Sequence, residues 1–209
     1  MTSRNRSGSK ADRASAIKAA AVEVFAQHGY HATKVSMIVH KVGVAQGTFY
    51  LYYKSKQEIF DEILDDFLTL LQSPISQWEV RDLTTVEDLR QALVELGVIL
   101  LGVLNSNRDL TRIFFKEALI NHPEFTARIN TFYKELGEVM VAINILNNQM
   151  GLIRETDFEV LAWCTMGMVE RNILQYIVEP DEPLPLEKME AIVVAIVDLF
   201  IYGAGNYKS

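Results

Sequence analysis

The chain has 209 residues, of which 49% are hydrophobic and 22% are charged, so it can bury a substantial core and is not expected to be disordered. The net charge of -7 argues against nucleic-acid binding by the whole surface, but residues 1–60 carry a net charge of +6 and the rest -13, so one end can approach a polyanion. The single cysteine, Cys164, excludes an internal disulfide. The longest uncharged apolar stretch, Leu96 to Leu104, is far shorter than the roughly 20 residues of a membrane span. We therefore expect a soluble cytoplasmic protein with no membrane partner.

The first predicted helix runs from Ala11 to His28. Apolar residues recur there at steps of three and four, and Gly29 provides a stop. Its expected inner face consists of Ile17, Ala20, Ala21, Val24 and Phe25. Residues 1–10 precede it as a basic tail without apolar anchors, which we expect to be flexible.

Two short helices follow. Thr33 is the expected N-cap of a helix that runs through Lys41, and Gly43 suits a tight turn with a positive φ. The next helix begins near Ala45, is expected to span eight residues and turns Phe49 inward. Two short helices joined by a turn and braced by a third form a helix-turn-helix, whose second helix projects its first residues outward.

A fourth helix is predicted from Lys56 to about Gln72, capped by Ser55 together with Glu58 and ended by Pro74. Five more helices follow, with Gly151 as a stop and Thr156 as a cap: about Thr85 to Leu104, Arg108 to Ile120, Pro123 to Met150, Asp157 to Val178 and Leu186 to Ala204. The expected fold is all-α, with about nine helices. A three-helix DNA-binding domain (residues 11–55) precedes a helical dimerisation and ligand-binding body (residues 56–209).

The segment GYHATKVSMIVHKVGVAQGTFYLYYKSKQEIF, residues 29–60, resembles the signature of the tetracycline-repressor (TetR) family of bacterial regulators. The matching positions are Gly29, Tyr30, Thr33, Ile38, Gly43, Val44, Gly47, Thr48, Phe49, Tyr50, Tyr52, Ser55 and Lys56. The departures are Val39, Val42, Ala45, Tyr53 and Ile59. The detailed match covers about Ala16 to Phe60, and the later helices agree with the family only in number, length and order.

The resemblance implies sequence-specific binding of double-stranded DNA. It assigns phosphate contacts to Thr33, Tyr50, Tyr52 and Lys56, and positions in the DNA groove to Ser36, Gln46, Gly47 and Thr48. Residue chemistry agrees, because glutamine can bond adenine bidentately and glycine lets the backbone approach the duplex. Lys34 and Ala45 complete the candidate set. The alternatives are ordinary packing for the tyrosines and a solvated charge for Lys34.

The resemblance also implies a homodimer on a palindromic operator, joined through the last two helices, and a small apolar or amphipathic effector. The expected dimer contacts lie among Leu161, Ala162, Trp163, Met166, Gly167, Met168, Val169, Met189, Ile192, Val193, Ile196, Val197, Leu199 and Phe200, for which burial inside one protomer is the alternative. Candidate ligand contacts, each of which could instead be core, are Phe67, Trp78, Phe114, Phe115, Phe132, Tyr133, Met140, Trp163 and Met166. Glu117 and Glu170 could pair with a cationic ligand, or with a basic side chain of the protein.

Two other function classes remain open. An enzyme has little support: His28 and His31 lack a third metal ligand, Cys164 lacks a nearby base, and Glu62, Asp65 and Asp66 look like a solvated helix face. We therefore expect no catalytic residue, metal or cofactor. A helical protein-interaction module would leave the basic first 60 residues unexplained. The choice between repressor and activator stays undecided.

Overall fold

The computed structural model describes residues 10–77, 83–118 and 123–204. Nine helices account for most of these ranges, which confirms the all-α expectation. They are α1 (Lys10–Ala32), α2 (Val35–Val42), α3 (Gln46–Phe49), α4 (Lys56–Gln77), α5 (Val86–Ser106), α6 (Arg108–Arg112), α7 (Pro123–Gln149), α8 (Phe158–Ile173) and α9 (Leu186–Ala204). Helices α6 and α8 continue into the π-helical turns Ile113–Ala118 and Leu174–Val178.

Helix α1 buries all five predicted inner-face residues and, in addition, Tyr30. Its regular part ends at Gly29, whose φ of 75° and ψ of 164° break the helical path as expected. The break brings the Tyr30 ring within 4.7 Å of Phe60 in α4 and 5.3 Å of Phe125 in α7, measured between ring centroids. The apolar core is therefore continuous from the first helices into the body, and the domain boundary at residue 55 stays a prediction.

The turn between α2 and α3 is closed by Gly43. Its φ of 76° and ψ of 36° lie in the left-handed region, and the amides of Gly43 and Val44 both donate to the Val39 carbonyl. The predicted cap of α2 is wrong, because α2 begins one residue later, after an extended Lys34. Buried Thr33 instead donates its hydroxyl proton to the Gly29 carbonyl, 2.7 Å away.

Helix α4 begins as predicted, with the Glu58 amide donating to the Ser55 hydroxyl at 3.1 Å. Its predicted end is wrong, because the helix passes through Pro74 and continues to Gln77. A proline deprives the helix of one hydrogen bond, and a last turn can tolerate that loss. The cap of α8 is also displaced by one residue, since the carboxylate of Asp157 accepts from the amides of Glu159 and Val160.

Helix α5 is, within the described ranges, the one helix long and apolar enough to cross a membrane by length and composition alone. It packs against α4 and α9 and buries Leu89, Ala92, Leu101 and Leu104. Its Arg90 also forms an ion pair of 2.6 Å with Asp198 of α9. The packing of α5 is therefore that of a helix inside a bundle.

Candidate functional site

The outward surface of α3 is formed by Gln46 and Gly47, which are both exposed. A Cβ added to Gly47 would meet no atom within 4 Å, so this position faces open space. Phe49, on the opposite side, is completely buried and holds the helix against the core. The helix is shorter than the eight residues expected, but the amides of Leu51 and Tyr52 continue it as tight turns by donating three residues back.

The segment after α3 adds large exposed side chains to this surface. Tyr50 is 52% exposed and Leu51 is 72% exposed, whereas Tyr52 is only half-buried and Tyr53 is buried as predicted. Leu51 was not among the predicted contacts. Its place next to Tyr50 did not mark it as exposed, because Phe49 is apolar, also adjoins Tyr50 and is completely buried.

Helix α2 contributes less to this surface. Ser36 and Lys34 are exposed, as is Ala45 at the start of α3, and Thr48 is half-buried. The exposed set around α3 is therefore Lys34, Ser36, Ala45, Gln46, Gly47, Tyr50 and Leu51. We call this set the α3 surface.

Two predicted phosphate contacts are directed into the protein. Thr33 is 2% exposed, and its hydroxyl and its amide both donate to the Gly29 carbonyl. The Lys56 ammonium donates to the carbonyls of Tyr30 and Thr33 and lies 4.2 Å from the centre of the Tyr30 ring. Burial lowers the pKa of Lys56. In this structure the Thr33 hydroxyl and the Lys56 ammonium therefore have partners within the protein, and Lys56 joins the start of α4 to the end of α1.

Four carboxylates of α4 hold the helix on two sides. Glu62 and Asp66 accept from Lys18 of α1 at 2.9 and 2.6 Å. Asp61 and Asp65 accept from Arg128 of α7 at 3.3 and 2.6 Å. The expectation of a solvated face agrees with the exposure of Asp65 and Asp66, but it missed that these carboxylates and that of Glu62 form ion pairs across the surface. Their basic partners come from distant parts of the chain, and the pairs tie α4 to both the first domain and the body.

Most of the candidate ligand contacts form one aromatic cluster in the body. The ring of Phe114 lies 4.8 Å from Phe67, 5.2 Å from Phe115 and 5.9 Å from Phe132, and Phe132 lies 5.7 Å from Tyr133. We call these five rings the aromatic cluster.

The remaining candidates lie elsewhere. Met166 is buried and Met140 half-buried. Trp78 falls outside the described residues. Trp163 is 47% exposed, and its ring faces Gly137 of α7 on the outside of the bundle, which contradicts a position inside a pocket.

A polar pair borders the aromatic cluster. The Tyr133 hydroxyl donates to the Glu170 carboxylate at 3.3 Å. Burial, followed by the charge and the hydrogen bond of Glu170, raises the pKa of Tyr133. Glu170 therefore has a hydrogen-bond partner within the protein, and this partner is a tyrosine instead of the basic side chain expected as one alternative. The side chain of Glu117 is not among those that the structure describes.

Exposed apolar side chains lie on α8 and α9. Val160 and Trp163 on α8, and Leu199 and Tyr202 on α9, are each between 47% and 70% exposed, and the two members of each pair are three residues apart, on one side of their helix. We call these four residues the outer face of α8 and α9. Leu186, at the start of α9, is 62% exposed and lies on a different side of that helix.

Seven residues of the predicted dimer set are instead buried within the protomer: Ala162, Met166, Met189, Ile192, Val193, Val197 and Phe200. The helix pair thus has one side in the core and exposes apolar side chains on another. Val160, Leu186 and Tyr202 were not among the predicted dimer contacts.

Within the parts of the chain that the structure describes, no group of three or more His, Cys, Asp or Glu side chains could hold a metal ion. His28 and His31 are both exposed near the end of α1. Cys164 is exposed on α8.

A family model matches the segment from the middle of α1 to the first turns of α4. The model of bacterial regulatory proteins, tetR family, matches residues 17–63. The uncharacterized HTH-type transcriptional regulator YdgC of Bacillus subtilis is 29% identical over 188 residues, which cover 90% of this chain and 89% of that protein. The fatty acid metabolism regulator protein of the same organism is 24% identical over 191 residues, covering 90% and 93% of the two chains.

A solved structure shares the fold along almost the whole chain. The transcriptional regulator FadR from Bacillus subtilis, crystallised in complex with stearoyl-CoA, superposes with a TM-score of 0.68 at 24% identity, covering 90% of this chain and 98% of that one. The segment matched by the family model contains α2, α3 and the turn at Gly43 that joins them.

Proposed function

We infer that the chain is a helix-turn-helix transcription regulator of the TetR family of bacterial regulatory proteins, whose family model matches residues 17–63. We propose that it works as a cytoplasmic homodimer, that it binds a palindromic operator through the α3 surface, and that a small amphipathic ligand releases it, which makes it a repressor. The observation that carries the proposal is the open space at Gly47 beside an exposed Gln46, on a helix anchored from behind by buried Phe49. No residue has a catalytic role in this proposal.

DNA binding follows from the chemistry of the α3 surface. Gln46 offers a side-chain amide that can pair with both major-groove atoms of adenine, and the absent side chain of Gly47 leaves room for base edges. Tyr50 supplies a hydroxyl for a phosphate, and Leu51 an apolar contact at the same edge. Lys34 and Ser36 approach the backbone from α2. We leave Thr33 and Lys56 out of the direct phosphate contacts and assign them to holding α1, α2 and α4 in register.

Selection of bound sequences from random DNA tests this proposal. We expect a palindrome whose half-sites are separated by about one helical turn, roughly 34–36 Å, or a multiple of it. Gln46→Ala should relax the preference at one base position in each half-site, at a cost of about 1–3 kcal/mol for the preferred base. Gln91→Ala, on α5, is the matched control, because Gln91 is an exposed glutamine outside the α3 surface. Selected sequences that match the input pool would refute specific binding.

Dimerisation is proposed through the outer face of α8 and α9. One domain with so short a recognition helix contacts one half-site, and two linked copies are needed for tight binding. Several large apolar side chains of these two helices are exposed in the protomer, and an exposed apolar patch is typical of a protein–protein interaction site. A twofold axis along this face would bring each helix against its copy and cover both sets of side chains.

The effector is proposed to be a fatty acyl compound. The supporting observations are the apolar character of the aromatic cluster and the description of a relative, 24% identical over 90% of this chain, as a fatty acid metabolism regulator. An acyl chain could be accommodated by displacement of Phe114 and Phe132 from each other, because their contact is edge to face and involves no hydrogen bond.

Helix α4 is the proposed connection between effector and DNA. It carries Lys56 at the first domain and Phe67 in the aromatic cluster, and its carboxylates bind Lys18 on one side and Arg128 on the other. A shift of α7 at Arg128 would therefore move α4 relative to α1. Reversing a 99:1 population of the two conformations takes about 5.5 kcal/mol of differential ligand affinity, which a rearrangement of packed helices can provide.

Addition of stearoyl-CoA is expected to release the protein from its selected operator. The measurement is operator affinity by fluorescence anisotropy at increasing ligand concentration. Coenzyme A without an acyl chain is the matched control, because it carries the same phosphates and lacks the apolar group. If both compounds leave the operator affinity unchanged, the acyl effector is wrong, while DNA binding itself would stand.

A further inference from the structure

A surface cleft of about 610 Å³ lies between the first domain and the body, on a side that does not include the aromatic cluster. Its lining includes Val22 of α1, Asn107, Leu110 and Arg108 near the start of α6, and Pro183 in the segment before α9. It is an open surface cleft and not an enclosed pocket. The segment before α9 is fixed in place, because the Asn105 side chain exchanges two hydrogen bonds of 2.9 Å with the backbone of Leu184.

Arg108, in the wall of the cleft, has an unsatisfied donor. Its Nη2 donates to the Pro180 carbonyl, but its Nη1 is buried and has no hydrogen-bond partner in the described structure. A buried donor without an acceptor costs about 1–3 kcal/mol, and more when the group is charged. Such a group in a native protein calls for an acceptor that the chain itself does not provide.

A second guanidinium group lies beside the first. Arg112 donates through Nη2 to the same Pro180 carbonyl at 2.5 Å, and through Nε to the Val178 carbonyl at 3.1 Å. Burial, followed by the positive charge of Arg112, lowers the pKa of Arg108. The two positively charged guanidinium groups repel each other because both donate to the carbonyl oxygen of Pro180. A bound anion would offset this repulsion.

Three carboxylates, those of Glu23, Asp109 and Asp181, line the cleft together with the two guanidinium groups. Asp181 accepts from Arg112 at 3.2 Å but is almost completely exposed, so water screens its charge. Glu23, on the α1 side of the cleft, is paired with Lys41 at 2.6 Å. Asp109 also lines the cleft and opposes an anion.

We propose that Arg108 and Arg112 bind the oxyanion of a small amphipathic ligand whose apolar part lies against Val22, Leu110 and Pro183. The shared chemistry is a carboxylate or a phosphate group, because either offers several oxygen acceptors to paired guanidinium groups. Because Nη1 of Arg108 is buried, this side chain has to rotate before that donor can reach the ligand. The ligand would contact α1 and α6 together, which adds a second site from which the first domain can be controlled.

Binding to the 209-residue chain in the absence of DNA tests the proposal, so its outcome does not depend on the operator. Octanoate also carries an apolar chain of the kind proposed for the aromatic cluster, so only the binding that is lost in the Arg108 and Arg112 variants reports on the cleft. Isothermal titration calorimetry with inorganic phosphate and with octanoate, at constant ionic strength, should show saturable binding of at least one of them. Arg108→Gln and Arg112→Gln should each weaken that binding by about tenfold or more, as expected for the loss of a charge-assisted hydrogen bond. Because both variants are tested, the result can still be interpreted if one of them fails to fold.

Arg154→Gln is the matched control, because Arg154 is also an arginine bound to a backbone carbonyl, that of Gly203, and does not line the cleft. Its affinities should equal those of the unmodified protein. Tighter octanoate binding identifies a carboxylate ligand, and binding of phosphate alone identifies a phosphate ligand. Absence of saturable binding, or equal affinities in the Arg108 and Arg154 variants, would overturn the proposal.

Discussion

Gly47→Ala is expected to lower operator affinity by about 10- to 100-fold without destabilising the protein. The added methyl group meets no atom within 4 Å in the protein, so the fold has room for it. In the complex the same methyl group would occupy space that the proposal gives to the DNA bases. One specific contact to a base contributes about 1–3 kcal/mol. A methyl group that holds α3 away from the groove would weaken the contacts of the neighbouring side chains as well. Fluorescence anisotropy with the selected operator measures the loss.

Thermal unfolding separates this effect from damage to the fold. Alanine favours a helix over glycine by up to about 1 kcal/mol, so the variant should melt at the same temperature as the original protein or slightly higher. Gly102→Ala in α5 is the control, since its added methyl group would only reach the Met189 sulfur at 4.0 Å, far from the α3 surface. Unchanged operator affinity in Gly47→Ala would remove α3 from the DNA interface.

Leu199→Arg is expected to convert the protein into a folded monomer and to lower operator affinity by about 100-fold or more, equivalent to about 2.7 kcal/mol. Leu199 is 66% exposed in the protomer, so the substitution leaves the core intact. In a twofold interface each substitution occurs twice, and two arginines would be brought out of water without partners. Loss of the partner removes one of the two half-site contacts.

Light scattering after size-exclusion chromatography measures the mass, and circular dichroism verifies that the monomer stays helical. Ile99→Arg on α5 is the matched control, because Ile99 is a 52% exposed aliphatic residue outside α8 and α9. It should remain dimeric and bind the operator normally. A dimeric Leu199→Arg protein would show that the subunits meet through another surface.

Residue pattern alone predicted the helices and several of their ends. The inner face of α1, the break at Gly29, the turn at Gly43 and the cap at Ser55 were all identified from apolar spacing and local turn chemistry. These features depend on residues within about one or two helical turns of each other, so the information they need is present in a short stretch of sequence.

Side-chain partners from distant parts of the chain could not be predicted in this way. The acidic face of α4 gave no indication that Lys18 and Arg128 would bind it from two sides. Trp163 is a large aromatic residue of the type that lines ligand pockets, yet its position on α8 puts it on the outside of the bundle. The unsatisfied Arg108 in the cleft likewise became visible only when residues 108 and 180 were brought together.

The helical class, the helix-turn-helix and the resemblance to the TetR family could all be predicted from the residues alone, because local periodicity and a contiguous motif encode all three. Which polar groups are available to a ligand depends instead on contacts made in the folded chain. Thr33 and Lys56 match the family motif, but their hydrogen-bonding groups are directed to carbonyls at the end of α1. A side chain can contact DNA only with the donors that folding leaves free, and which donors remain free depends on contacts that no short segment contains.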